Sequence, residues 1–433
     1  MNPLSRRSLD AVWHPCTQMA RAEATPPLAI ARGEGPWLHD TDGRRYFDAN
    51  SSWWVNLFGH SDAGITGAIK RQLDTLPHVM LAGCTHEPAV LLAEKLRALT
   101  GGALGHVFFA SDGASAVEIA LKQSFHSWRN RGFEAKREFV CLKNGYHGET
   151  IGALAVTDVQ IFRDAYDPLL MRAHIVESPD DRLGNEAQAL AAMRTLLERR
   201  HAQIAAVIIE PLVQGAAGMV MHSPSYLKAL RGLTREFDVH LICDEIAVGC
   251  GRTGTFFAFE QAEAGWPDFV TLSKGISGGT MPLSLVLTTD EIYQYFWSED
   301  VTRGFLHSHS YTGNALACAA AVAVLEKFER EDVLAGNRGQ SALLAQAFAP
   351  LAEDPRVAHL RQRGMILAFD VKNPGERFSE RFHLAARERE VLIRPISSNS
   401  GSTVYLMPPY LIDAATAAFL SHAVMKTLND VLA

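Results

Sequence analysis

None of the six cysteines, at 16, 84, 141, 243, 250 and 318, stands in a CxxC pair, so a disulfide-stapled scaffold and the common zinc and redox motifs are excluded. The apolar surroundings of Val140-Cys141-Leu142 and Ile242-Cys243 predict buried, reduced thiols and a cytoplasmic protein. Long hydrophobic runs are also missing. The most apolar stretches, 205–209 and 315–325, stop well short of the roughly 18 residues that cross a bilayer. No block of like charges occurs, and 41 Lys and Arg against 48 Asp and Glu leave a net charge of −7, which argues against a nucleic-acid surface. There is no internal repeat at a solenoid or propeller period. Arg6-Arg7-Ser8 has the look of a twin-arginine signal, but Asp10, His14 and Gln18 interrupt the apolar region that would have to follow, so the N-terminus reads as part of the fold.

What remains is an ordinary globular composition, 47% hydrophobic and 21% charged, over 433 residues, enough for two to three domains at roughly 150 residues each. Short apolar runs alternate with amphipathic segments through the middle of the chain. The run Gly105 to Ala110 is strand-like, and beyond a polar turn Val117, Ala120, Leu121, Phe125 and Trp128 recur at helical spacing. Further strands are predicted at 139–142, 206–210, 240–244, 269–273 and 284–288. A helix opens at Ser223, with Pro224 in its first turn. Alternation of this kind implies an α/β fold with a mostly parallel, doubly wound sheet. The ends of the chain differ: Asp40-Thr41-Asp42-Gly43 is a hairpin signal, and strands at 366–371 and 404–407 mix with helices. The expected organisation is a large domain over 61–330 and a smaller α+β domain built from 1–60 and 331–433.

Asp244 and Lys274 each end an apolar run, so both fall at carboxyl ends of strands, the edge where open α/β sheets bind ligands. Lys274 is followed by Gly275-Ile276-Ser277-Gly278-Gly279, read as a flexible loop suited to an amine that forms a Schiff base and swings away. A carboxylate at that edge can keep a pyridine nitrogen protonated, and the pair reads as a pyridoxal-phosphate site. Ordinary strand-end charges explain the two residues equally well when taken alone. Ser111-Asp112-Gly113-Ala114 precedes a helix whose first N–H groups offer an anion site, although Ser and Asp are also common caps. Tyr146, in Asn144-Gly145-Tyr146-His147-Gly148, can stack on a planar ring at the same edge or serve as a structural turn residue. His147 with Glu149, and His307 with His309, lack further ligands at metal spacing, so no metal site is expected.

Asp244-Glu245-Ile246, Gly251-Arg252-Thr253-Gly254, Ser273-Lys274-Gly275 and Thr312-Gly313-Asn314 together resemble the class III (omega) pyridoxal-phosphate aminotransferases of fold type I. Trp13-His14-Pro15, Ser51-Ser52-Trp53-Trp54, Ile393-Arg394-Pro395 and Tyr405-Leu406-Met407-Pro408-Pro409-Tyr410 are similar to the branch of that family serving biotin biosynthesis.

The resemblance implies that Lys274 is the Schiff-base lysine and Asp244 the partner of the pyridine nitrogen. It implies further that Asp112, Gly113 and Ala114 hold the phosphate, that Ser310 reaches it from the second subunit of a homodimer, and that His309 also contacts the cofactor. Trp53 and Tyr146 would flank the substrate, Ser308 would touch it and Arg394 would bind its distal carboxylate. The implied reaction moves an amino group from S-adenosylmethionine to 8-amino-7-oxononanoate by ping-pong chemistry. Burying the acceptor's chain against Trp53 and Trp54 would contribute up to about 4 kcal/mol, although core packing is the alternative for both tryptophans. Cys16 stands where many relatives carry a tyrosine, removing a hydroxyl from the substrate pocket, and Ser308-His309-Ser310 replaces a Gly-Pro-Thr pattern. Lysine therefore stays open as the donor, as does another ω-amine transaminase, an aminomutase or decarboxylase on the same fold, or a silent binding protein.

Overall fold

The computed structural model describes residues 1–398 and 401–433. The chain forms two compact units, one of residues 1–62 with 339–433 and one of residues 63–338.

The first unit begins with a helix, Pro3–Ala11, which the sequence reading did not anticipate; the Asn2 side chain caps it by accepting the N–H of Leu4. Arg6, Arg7 and Ser8 lie within it. Strands β1 (Ile30–Glu34), β2 (Trp37–Asp40) and β3 (Arg45–Asp48) form an antiparallel meander. The expected hairpin turn is held by Asp40, whose carboxylate accepts the N–H groups of Asp42 at 3.0 Å and Arg44 at 2.8 Å, while Gly43 takes φ +85°.

The second unit is built on seven strands: β4 (His106–Ala110), β5 (Glu138–Leu142), β6 (His174–Val176), β7 (Ile204–Ile209), then, after the short ribbon β8 (Val213–Gln214) and β9 (Val220–Met221), β10 (His240–Asp244), β11 (Phe269–Leu272) and β12 (Ser284–Thr288). Their order across the sheet is β4-β12-β11-β10-β7-β5-β6. Only β12 runs antiparallel to its neighbours, so the carboxyl ends of the other six strands share one edge. Every residue of β7, β10, β11 and β12 is buried, which is why these strands read as continuous apolar runs. Helix Gly113–Asn130 lays Val117, Ala120, Leu121 and Trp128 into the core against Phe139, Ile208 and Phe269, with Phe125 packed at the margin. Helix Pro224–Glu236 is capped by Ser223, whose side chain accepts the N–H of Tyr226.

The chain then returns to the first unit. Strands β13 (Val357–Arg363), β14 (Ile366–Val371), β16 (Ile396–Ser398) and β17 (Gly401–Leu406) form an antiparallel sheet, while β15 (Val391–Leu392) joins β3 in parallel. Among the described residues no helix is long and apolar enough to cross a membrane. The cysteine expectation needs correction. Cys141, Cys243, Cys250 and Cys318 are buried, but Cys16 and Cys84 are exposed. Those two lie in irregular segments with no sheet or helix face to bury them.

Candidate active site

Asp244 closes β10 and is 4% exposed. Its Oδ2 lies 2.7 Å from Nδ1 of His147, and its Oδ1 accepts the N–H of Ile246 at 3.1 Å and the hydroxyl of Thr271, on neighbouring β11, at 3.2 Å. This carboxylate is therefore oriented from three sides before any ligand arrives. Its neighbour Glu245 points elsewhere: it accepts the N–H groups of Ala258 and Phe259, each at 2.8 Å, and burial pushes its carboxyl up to about 8. Of the adjacent acidic pair, one member is structural and one is presented at the sheet edge.

Lys274 lies two residues beyond the end of β11 and is half-buried, with φ +46°. Burial lowers its ammonium below the usual lysine value, while the charges of Asp244 and Glu210 oppose that shift. The flexible loop expected after it is instead a packed 3-10 turn, Lys274–Ser277. Gly275, Ile276 and Ser277 are buried, and a Cβ at Gly278 (φ +63°) would stand 2.6 Å from Ile65 Cδ1. The Ile276 side chain anchors the segment in the core, which leaves mobility to the lysine's own stem.

Glu210 follows β7 at the same edge. Buried at 4% exposure, it accepts the N–H groups of Tyr146 at 2.9 Å and Gly215 at 3.0 Å, and burial pushes its carboxyl up to about 7. Sequence reasoning missed this residue, and it missed the His147 contact with Asp244. The pointer to Glu210 was its place directly after an apolar run; His147 was weighed only as a metal ligand with Glu149, not as a partner for a carboxylate. Tyr146 itself is half-buried, packs edge-on against Phe162 at 5.4 Å and donates its hydroxyl to Glu149 at 2.9 Å.

Asp112 caps helix Gly113–Asn130 through its side chain, which accepts from Ser115 N at 3.0 Å and Ser115 Oγ at 2.7 Å. The first-turn N–H groups of Gly113 and Ala114, which a helix cannot satisfy internally, lie just past the carboxyl end of β4. A Cβ at Gly113 would meet Ile246 at 3.0 Å, so the close approach at this position requires glycine or a shift of that side chain. His309 Nε2 lies 3.1 Å from Ser111 Oγ of the same chain, which sets the 307–312 loop beside this helix start; Ser308 and Ser310 are exposed. These groups fit a phosphorylated pyridine: N–H donors for a phosphate, an oriented carboxylate for a ring nitrogen, and an amine for an aldehyde.

The remaining expected residues lie in the first unit. Ser51, Ser52, Trp53 and Trp54 all have left-handed φ values, +49°, +48°, +71° and +74°. Such backbone costs about 1–2 kcal/mol per residue, and a network of side-chain hydrogen bonds holds it. Ser51 donates to the carbonyl of Met407 at 2.7 Å, Ser52 to Asp48 at 2.6 Å, and the Trp54 indole to the Tyr405 hydroxyl at 2.9 Å. The tryptophan pair therefore divides: Trp54 is core at 6% exposure, and Trp53 is presented at 50%. The Arg394 guanidinium is exposed and stands 5.7 Å from the Trp53 ring centroid. Cys16 is exposed in a turn at φ +47°.

A lysine and a carboxylate thus follow or end adjacent strands of the mostly parallel sheet, on the edge that also carries the start of helix Gly113–Asn130, and the architecture is that of a fold type I transferase. The family model for aminotransferase class-III matches residues 18–428, and the chain belongs to that family. It is 43% identical over 418 residues to the adenosylmethionine-8-amino-7-oxononanoate aminotransferase of Helicobacter pylori, covering 94% of each chain. The crystal structure of the enzyme of that name from Methanocaldococcus jannaschii is similar throughout, with TM-score 0.94, 35% identity and coverage of 99% and 98% of the two chains. An omega-transaminase from Thermomicrobium roseum shares the fold at TM-score 0.92 and 29% identity, covering 99% of this chain and 98% of its own.

Proposed function

We propose that this protein transfers the amino group of S-adenosylmethionine to 8-amino-7-oxononanoate in biotin biosynthesis, as a cytoplasmic, pyridoxal-phosphate-dependent homodimer. The observation that carries the reading is the meeting of Lys274, oriented Asp244 and the Gly113 and Ala114 donors at one sheet edge; the substrates are supported by the names of the relatives. Pyridoxal phosphate, when bound, supplies an electron sink for the carbon that loses its proton. Lys274 would hold the cofactor's aldehyde carbon and, once displaced by the donor amine, carry the α-proton; burial favours the neutral amine that both tasks need. Asp244, braced by His147 and Thr271, would keep a proton on the ring nitrogen. Gly113 and Ala114, with Asp112 as cap and His309 nearby, would take the phosphate. Ser310 would reach it from a second copy, and the exposed Trp297, Leu306 and Tyr311 provide apolar surface for that copy to cover.

Tyr146 and Trp53 would flank the substrate, Ser308 would contact it, and Cys16 would border the pocket without the hydroxyl of a tyrosine. With Trp54 in the core, a single indole covers the acceptor chain, so its burial contributes about 2 kcal/mol, half the full-burial figure. A charge-assisted contact from Arg394 to the distal carboxylate adds roughly 1.5–3 kcal/mol. Mixing holoprotein with each donor alone and following the absorption of the bound cofactor tests the reading. Adenosylmethionine should convert the aldehyde form to the amine form, and the keto acid should reverse it. Conversion by lysine alone overturns the donor assignment, and no response to either donor or keto acid overturns the function.

A further inference from the structure

Asn50, 8% exposed, lies between β3 and the left-handed turn, and both ends of its carboxamide are engaged. Its Oδ1 accepts the backbone N–H of Arg394 at 2.7 Å, and its Nδ2 donates to the carbonyl of Tyr405 at 3.1 Å. These partners settle the amide's orientation, because a flip would set NH2 against N–H and oxygen against oxygen. The carbonyl of Asn50 in turn accepts the N–H of Trp54 at 2.8 Å, closing the turn from which Trp53 projects. One residue thus ties the backbone bearing the exposed ring to the backbone bearing the exposed guanidinium. Tyr405 serves both as a common base, through its carbonyl to Asn50 and its hydroxyl to Trp54. Buried Pro395 restricts the backbone of Arg394 from the other side, so the arginine stem starts from a fixed point.

We propose that Asn50 is a positioning residue that fixes the offset between the Arg394 guanidinium and the Trp53 ring, and thereby the carbon-chain length of the carboxylate substrate that the protein accepts. This rests on the reading of Arg394 as the carboxylate contact and Trp53 as the wall along the chain. Hydrogen bonds to a carboxylate tolerate only a few tenths of an ångström, so an acceptor one methylene too short or too long loses either the guanidinium or its place against the ring. Releasing the Arg394 N–H widens that tolerance. The consequence is a loss of length discrimination, which a purely structural role for Asn50 would leave untouched.

The test uses holoprotein and a ladder of straight-chain ω-oxo carboxylates as amino acceptors, with the donor half-reaction measured separately. Wild type should prefer its best chain over the neighbours by about tenfold in kcat/KM. Asn50→Ala should reduce that preference to about threefold or less through KM, with the donor half-reaction within about twofold of wild type. Asn50→Asp keeps an acceptor for the Arg394 N–H but sets an oxygen against the Tyr405 carbonyl, so it should lose stability while retaining the wild-type length profile. It also carries the test should the alanine variant not fold: a flattened profile in Asn50→Asp overturns the proposal. An unchanged profile in Asn50→Ala overturns it as well, as does an equal loss at every length and in the donor half-reaction. Arg394→Ala separates the two levels. If wild type discriminates no lengths and Arg394→Ala changes nothing, the carboxylate reading falls and the role of Asn50 with it; if both behave as expected and Asn50→Ala does not, only the role of Asn50 falls.

Discussion

Replacing Trp53 by alanine and by glycine removes the same ring but treats the backbone differently. Trp53 sits at φ +71° in a run of four left-handed residues. Both variants lose what the half-exposed ring buries and its proximity to Arg394, so these contributions cancel between them. What remains is the backbone: alanine keeps a left-handed cost of about 1–2 kcal/mol, whereas glycine occupies that region freely but gives up about 0.5–1 kcal/mol through the freedom of its unfolded chain. Trp53→Gly should therefore be more stable than Trp53→Ala by about 0.5–1 kcal/mol, read as a higher urea midpoint at unchanged slope. In acceptor kinetics the two should look alike, each with a raised KM, because the aromatic wall is gone from both. Equal stability, or a more stable alanine variant, would refute the left-handed turn as the device that presents Trp53.

Lys274→Ala should abolish transamination in a protein that still folds, checked by circular dichroism beside a coupled assay; substantial turnover would remove Lys274 from the reaction. Arg394→Ala should raise the acceptor KM about tenfold, the lower end expected of a charge-assisted contact because the guanidinium is exposed in the free protein, and leave the donor half-reaction intact. Glu210 titrates near 7 in the folded protein against 4.5 when unperturbed, so the native state binds a proton that the unfolded chain releases in between. Its stabilising effect is fully present below about 4.5 and lost as pH rises through about 7. Urea titrations at several pH values should show that slope flattened in Glu210→Gln, and an unchanged slope would mean that another group carries it.

Much of this protein is decided by short-range rules that its sequence displays. Strands buried on both faces must be apolar throughout, so β7, β10 and β12 are visible as runs; Ser223 before Pro224 marks a helix start because the first N–H groups need an acceptor. Asp244 and Lys274 are legible for the same reason, since a charge that ends an apolar run lies at a strand end, and the motifs around them place the chain among the aminotransferases. Contacts between distant residues belong to the tertiary structure alone. No local pattern could pair His147 with Asp244 across 97 positions or set Glu210 beneath the Tyr146 backbone. Two adjacent tryptophans look alike in sequence, yet a left-handed turn, held by bonds to Met407 and Tyr405 more than 350 residues away, buries Trp54 and exposes Trp53. The flexible loop read from Gly275 to Gly279 fails for a related reason: glycine permits freedom, but Ile276 buried in the core removes it. Periodicity and capping are properties of neighbouring residues, whereas the exposure of a side chain depends on which remote backbone groups close around it.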